Sequence, residues 1–382
     1  MLKERIIEEF KNRFMVTPNF LIRSPGRVNL IGEHTDYNDG FVMPMAIDRE
    51  IWMAIRPRSD RVVSLYSLDF KETRQFSLDL IKKEGSSWLE YIKGVSGSLK
   101  KQGLDLSGWE GVMMSNIPIG AGLSSSAALE MATIQSFKAV SGFTMDHQTM
   151  AEVGQDAENR WIGVKCGIMD PLISASGKKD HAQLIDCRTL DCKAIPIPTS
   201  SRIIILDTTT RRGLMDSAYN ERRAQCESAA EVFQVKALRD ITMELLSSHS
   251  LQIDSLVKKR VQHVVAENYR TQAAAKTMIQ SDVTHLGKLM NESHQSLRDL
   301  FEVSSNELNT IVECATHNPY CYGARMTGAG FGGCAVAMVQ KEKSETFIQE
   351  VKSCFKTKTG LNTQIYECEA VDGAEWALLG QI

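Results

Sequence analysis

Apolar positions along the chain follow two periods. Leu2, Ile6, Phe10 and Phe14 recur every four residues among charged neighbours, a spacing that predicts an amphipathic surface helix. Short apolar runs at 62–66, 111–117, 202–206 and 334–339 read as β-strands. Long helical patterns lie between them, at 129–140 and at 256–279, where Val257, Val261, Val264 and Val265 share one face. Strands and helices mix without the regular alternation of a doubly wound parallel sheet, so the expected fold class is α+β. The two prolines within 191–201 mark that stretch as a connection. A soft boundary after Cys187 gives two expected domains, 1–187 and 188–382, in line with roughly 150 residues per domain.

Composition narrows the function classes. At 43% hydrophobic and 24% charged, the chain has the make-up of a soluble globular protein with sizeable cores. Lys plus Arg is 44 and Asp plus Glu is 47, a formal net charge of −3. That balance argues against a nucleic-acid partner, whose footprint is a strongly basic face, yet allows a local basic pocket. No apolar run approaches the roughly 18 residues of a membrane span, and the opening stretch lacks a signal-peptide core. A cytoplasmic chain with no membrane partner is expected; the oligomeric state stays open. The nine cysteines are scattered, and the closest pair, Cys187 and Cys192, is not a CxxC. Reduced thiols are expected rather than a disulfide framework or a zinc site.

Three segments hold more polar and glycine residues than packing requires. In 24–40, turn signals bracket Glu33, His34 and Asp36. The cluster is a solvated loop, a pocket floor accepting hydrogen bonds from a polyol, or a metal site, although helical ligand spacing and a second His are missing. In 116–130, Gly120, Ala121, Gly122, Leu123, Ser124, Ser125 and Ser126 join a β-like run to a helix. Glycines let backbone approach an anion, and N–H groups of the first helical turn point at it. One serine would suffice as a cap, and the Walker A ending is absent, so a phosphate loop of another type is expected. In 325–339, Gly328, Gly330 and Gly333 match G-x-G-x-x-G, but a β-like run follows where a dinucleotide fold needs a helix. A glycine-rich turn lining a nucleotide site from another domain fits better than a dehydrogenase. Glu158 and Asp170 form a weaker cluster; Asp170 before Pro171 reads either as a helix cap or as a catalytic carboxylate.

Together these segments resemble the galactokinases, a branch of the GHMP family of small-molecule kinases. The likeness rests on Gly-Arg-Val-Asn-Leu-Ile-Gly-Glu-His-Thr-Asp-Tyr-Asn-Asp-Gly at 26–40, on 117–128 and on 326–333. Cys-Gly-Ile-Met-Asp at 166–170 and Tyr-Asn-Glu-Arg-Arg at 219–223 extend it. It implies a two-domain GHMP kinase architecture, an N-terminal domain of a ribosomal-protein type and a ferredoxin-like C-terminal one, with the active site between them. It also implies ATP-dependent phosphorylation of the anomeric hydroxyl of galactose. By position, Asp170 would take or orient the sugar proton, with Arg27 beside it keeping the carboxylate charged and stabilising the transferring phosphoryl group. Glu33, His34, Thr35, Asp36, Gly167 and Tyr219 would hold the sugar, and residues 120–126 the ATP phosphates. Ser126 and Glu158 would hold Mg²⁺. Trp88 would stack near the adenine or be an ordinary half-buried aromatic. One departure stands out: the residue after the catalytic Asp is usually Gln in this family and is Pro171 here, which puts sugar preference and turnover in question. A regulator that senses sugar and ATP on the same fold is the rival reading; the intact serine loop and Asp170 favour an enzyme.

Overall fold

The computed structural model describes residues 2–118, 120–211, 215–248 and 254–379, so Ile119 of the glycine-serine segment lies outside the described residues. Helix α1 (Leu2–Phe14) lays Ile6 and Phe10 against Leu21, Ala54 and Val112 of the first sheet, as its spacing predicts. That sheet draws on β1 (Phe20–Asn29), β3 (Pro44–Pro57), β4 (Val62–Ser67), β5 (Glu72–Ser77) and β6 (Trp109–Ser115), with β2 (Phe41–Val42) set apart. Three further strands follow: β7 (His181–Asp186), β8 (Cys192–Pro196) and β9 (Ser201–Asp207). The last four are β10 (Cys321–Met326), β11 (Cys334–Gln340), β12 (Gln364–Cys368) and β13 (Glu375–Leu378).

The described strands form three sheets, ordered β13-β1-β3-β6-β4-β5, β10-β11-β9-β12 and β2-β7-β8. All pairings are antiparallel except β4 with β6. Helices α2 (Leu89–Lys101) and α3 (Ser125–Ser141) pack on the first sheet in the larger core. Every residue of α3 from Ala127 to Phe137 is buried, so that helix shows no single apolar stripe. Two shorter helices, α4 (His147–Asp156) and α5 (Met169–Ser176), close the N-terminal half. The C-terminal half adds α6 (Met215–Val232), α7 (Met243–Ser248), α8 (Ser255–Ile279), α9 (Val283–Ser296), α10 (Asn306–Thr316) and α11 (Ser344–Thr359).

Several sequence expectations need correction. The stretch 191–201 is more than a connection, because it contains β8. Pro196 ends that strand at a sheet edge, where a missing N–H is tolerated. Two strands cross the boundary drawn at residue 187: β8 pairs with β7, and β13 returns from the far end of the chain to pair with β1. Helix α8 belongs to both cores, with Val261 and Val264 in the C-terminal one and Ala274, Ala275 and Met278 in the larger one. The thiols are not all reduced, since Cys314 of α10 is bonded to Cys354 of α11; partners that distant in sequence leave no local spacing pattern. The remaining cysteines are unpaired. Among the described residues no helix is long and apolar enough to cross a membrane.

Candidate active site

A β-bulge shifts the β1–β3 register between Pro25 and Arg27 and re-aims the strand. Gly26 sits at the bulge, where a Cβ would stand 2.5 Å from the Leu123 carbonyl oxygen. The close approach lets the Arg27 N–H donate to that carbonyl (3.1 Å), which joins β1 to the serine loop. The buried Arg27 guanidinium donates through Nε and Nη2 to the two oxygens of Asp170 (2.7 and 2.5 Å) and through Nη1 to the Gly122 carbonyl. The Ser124 hydroxyl also donates to Asp170. Burial opposes the charge on Arg27, but the carboxylates of Asp170, Glu33 and Asp36 outweigh it and raise its pKa. Asp170 does not cap its helix: α5 starts at Met169, with Ile168 at the cap position. Pro171 is thus the third helical residue, where the backbone N–H has no intrahelical partner to lose.

Glu33 ties the first motif to the third. Its Oε1 accepts from the Gly328 N–H (2.7 Å), the Thr327 hydroxyl (3.0 Å) and Arg325 Nη1 (3.4 Å). His34 donates from Nε2 to the Ala329 carbonyl (3.2 Å), so its Nδ1 accepts from the Tyr37 hydroxyl (2.8 Å). Burial, with cationic neighbours in support, pushes the His34 pKa down to about 3, leaving a neutral ring. Tyr219 stands 5.7 Å from the His34 ring, centroid to centroid. Burial, reinforced by Asp170, pushes the Asp36 carboxyl up to about 7. That carboxyl covers Gly167 so closely that a Cβ there would lie 1.8 Å from Oδ2, which is why the position is glycine. Thr35 departs from expectation. It is fully buried, and its hydroxyl donates to the Gly32 and Phe41 carbonyls (2.9 and 2.7 Å), so it shapes the loop without lining the cavity.

In the serine loop, Gly120, Gly122 and Ser124 all adopt left-handed backbone (φ 67°, 74° and 59°). Ser124 makes no cap bond to α3, and its hydroxyl goes to Asp170 instead. Ala121 also departs from expectation: its side chain is buried and its N–H donates to the Pro118 carbonyl (3.3 Å), so it offers a ligand nothing. Glu158 lies in a π-helical turn (Ala157–Ile162), a distortion common at functional sites. Burial raises its pKa, partly offset by hydrogen bonds from Cys166 and Ser126. Ser126 and Glu158 are thus adjacent oxygen donors, the type Mg²⁺ prefers. Among the described residues no group of three or more His, Cys, Asp or Glu side chains could hold a metal alone. An ion here would draw its other ligands from phosphate and water, as Mg²⁺ commonly does.

One residue that sequence reasoning missed is Glu130, a helical turn beyond Ser126. It is fully buried and neither carboxyl oxygen has a hydrogen-bond partner. Burial, then Glu158 and Asp170, raise its pKa well above the ordinary 4.5. A folded pKa above the unfolded one means that this group's stability is fully present below about 4.5 and is lost as pH rises. Glu130→Gln removes that loss, so the variant should melt a few degrees above wild type at pH 8. The gap should close towards pH 4; a gap independent of pH would show that Glu130 does not titrate this way.

These side chains converge on one cavity of about 290 Å³. Arg27, Glu33, His34, Asp36, Glu158, Gly167, Asp170 and Tyr219 line it, with Gly120 and 122–126 from the serine loop and Gly328 and Ala329 from across the cleft. A second cavity of about 440 Å³ adjoins it, sharing Tyr91, Ser125 and Ser126. Trp88, Ile117 and Leu129 make that one mostly apolar. Trp88 is half-buried there, and its Nε1 donates to Glu72 (2.9 Å).

Comparison with known proteins matches the same segments. The galactokinase galactose-binding signature matches residues 8–57, the GHMP kinases N terminal domain 90–178 and the GHMP kinases C terminal 274–357. A galactokinase of Roseiflexus sp. is 43% identical over 371 residues, covering 96% of this chain and 95% of the relative. The chain belongs to the galactokinase family. A second member, from Chloroflexus aggregans, is 44% identical over 374 residues, with 96% of each chain covered. Among solved structures, Lactococcus lactis galactokinase complexed with galactose superposes with a TM-score of 0.95 at 35% identity, covering 98% of this chain and 99% of that one. The Methanococcus jannaschii mevalonate kinase shares the fold, with a TM-score of 0.65 at 20% identity over 93% of this chain and 99% of that one. As a galactokinase-family member the chain is a kinase with ATP as co-substrate, built on the two-domain α+β GHMP architecture.

Proposed function

We propose that this enzyme transfers the terminal phosphoryl group of ATP to the anomeric hydroxyl of galactose, giving galactose 1-phosphate. The observation that carries the proposal is the Asp170 carboxylate. It is held by both arms of Arg27 in the cavity where the Glu33–Asp36 loop meets the serine loop. The galactose held by the Lactococcus lactis relative supports the choice of sugar. Glu33, with Oε1 committed to the third motif, leaves its other oxygen for a sugar hydroxyl, and Asp36, Tyr219 and the Gly167 backbone line the same wall. Gly120 and residues 122–126 supply backbone and hydroxyl donors to the phosphates, and the apolar cavity beside Trp88 suits the adenosine.

Asp170 orients the attacking hydroxyl and accepts its proton as the bond to phosphorus forms. Arg27 spans Asp170 and the phosphate loop, so its charge sits where the transferring group passes; such transfer depends mainly on positioning and charge stabilisation. Ser126 and Glu158 would hold Mg²⁺, which would supply neutralisation of phosphate charge. Cytoplasmic location follows from the same metabolic reading.

A coupled ADP-release assay with galactose and Mg-ATP tests the proposal; ligand binding without galactose 1-phosphate would make the protein a sensor. A panel with galactosamine, galacturonate and arabinose reads sugar preference by kcat/KM. The same assay carries a pH prediction. As pH falls through about 7 Asp36 takes up a proton, losing its charge and turning one acceptor oxygen into a donor, so the galactose KM should rise several-fold between pH 8 and pH 6. Asp36→Asn should flatten that profile at a uniformly high KM; an unchanged profile would take Asp36 out of sugar recognition.

A further inference from the structure

One face of α8 is polar although it is buried. His263, Glu267, Asn268 and Thr271 follow one another at i, i+4, i+5 and i+8, and all are at least nine-tenths buried. This face meets the loop that carries Glu33, His34 and Asp36. His263 donates from Nε2 to the Glu33 carbonyl (3.1 Å), with its Nδ1 bonded to the Ser296 hydroxyl (2.8 Å). Glu267 Oε1 accepts from the Gly32 N–H (3.0 Å) and from the Ser293 hydroxyl, while Oε2 accepts from Arg270 (2.7 Å). Asn268 Oδ1 accepts from the Phe41 N–H (2.9 Å).

The glycines at the two ends of the loop are what permit this contact. A Cβ on Gly32 would lie 2.9 Å from Thr271 Oγ1, and one on Gly40 would lie 2.3 Å from Asn268 Oδ1. Ser293 carries the connection onward: Arg325 donates from Nε to its hydroxyl (3.1 Å) and from Nη1 to the Asn29 carbonyl (3.1 Å) and to Glu33. Burial alone would raise the Glu267 pKa, but Arg270, His263 and Arg325 hold it down at about 2, so the carboxylate is charged. None of these α8 side chains lines the cavity.

We propose that Glu267, with His263 and Asn268, is a positioning set: a template on the C-terminal half that holds both ends of the 32–41 loop in its sugar-binding conformation. The role in sugar recognition rests on the reading of that loop given above. The template acts on the sugar and not on ATP, because among the described residues its hydrogen bonds run to the 32–41 loop and to its own and neighbouring helices, with none to the serine loop. When only a fraction of molecules has the loop in place, the apparent dissociation constant rises by the inverse of that fraction.

The test measures galactose binding by calorimetry, ATP binding, melting temperature and amide exchange over 32–41. Wild type is measured first: absence of galactose binding would sink the sugar assignment, while amide exchange still judges the clasp. Asn268→Ala should weaken galactose binding about five- to tenfold, leave ATP affinity within about twofold and speed exchange over 32–41. Glu267→Ala should do more, and Glu267→Gln, which keeps an acceptor for Gly32 and Ser293, should restore most of the loss. If Glu267→Ala fails to fold, Asn268→Ala still decides the matter. Equal losses for sugar and ATP would reduce the set to general scaffolding. Unchanged exchange with unchanged galactose affinity would overturn the proposal outright.

Discussion

Asparagine in place of Asp170 is expected to lower kcat by about a hundred- to ten-thousandfold, the range ascribed to a positioned acid–base group. ATP affinity should stay within about threefold, because the donors proposed for the phosphates lie in the 120–126 loop. The substitution also turns one carboxylate oxygen into an amide donor facing Arg27, which now donates to both oxygens. Part of the loss will therefore be positional, and the galactose dissociation constant with the melting temperature separates that part from chemistry. A variant that keeps kcat within tenfold of wild type would remove Asp170 from the reaction.

Lysine at position 27 is the second large effect. A guanidinium reaches both oxygens of Asp170 and the Gly122 carbonyl at once; an ammonium is a point charge that cannot span them. Preserving charge while losing that fork should cost about a hundred- to a thousandfold in kcat. The galactose KM should change little, because the fall belongs to a contact that matters most as charge develops. If Arg27→Lys retained near-normal kcat, the positive charge would be enough and the bidentate geometry would carry no catalytic weight. Combining it with Asp170→Asn should give much less than the product of the two losses, as expected of side chains acting as a unit.

Sequence alone reached the site where local chemistry constrains local composition. A loop that lets backbone come close to an anion needs glycines, and a helix needs only one capping serine, so the run at 120–126 was readable. The long helices and the strands at 62–66, 202–206 and 334–339 were readable from their periods. What escaped was set by tertiary contact. Glu267 and Asn268 look like ordinary polar residues on a valine-lined helix, and only their i, i+4, i+5 spacing beside that stripe hints at a buried task. Glu130 follows three apolar residues in a helix and carries no local mark. Thr35 and Ala121 sit inside recognisable motifs, yet one bonds its own loop and the other packs inward. The prolines of 191–201 masked an edge strand, and β13, a four-residue strand, is too short to register as a period.

That last strand reaches further than its length implies. The final described segment is stitched into the N-terminal half: Val371 donates to Ala46, Gly373 to Gly177 and Ala374 to Ser174, before β13 pairs with β1. Ribosomes make these residues after the whole N-terminal half. Until they emerge, the strand that bears Arg27 has one edge without its native partner, the kind of open ladder that recruits other chains. The molecule can seal its first sheet only once β13 has been made, so a chain truncated before Glu375 would leave that edge permanently open.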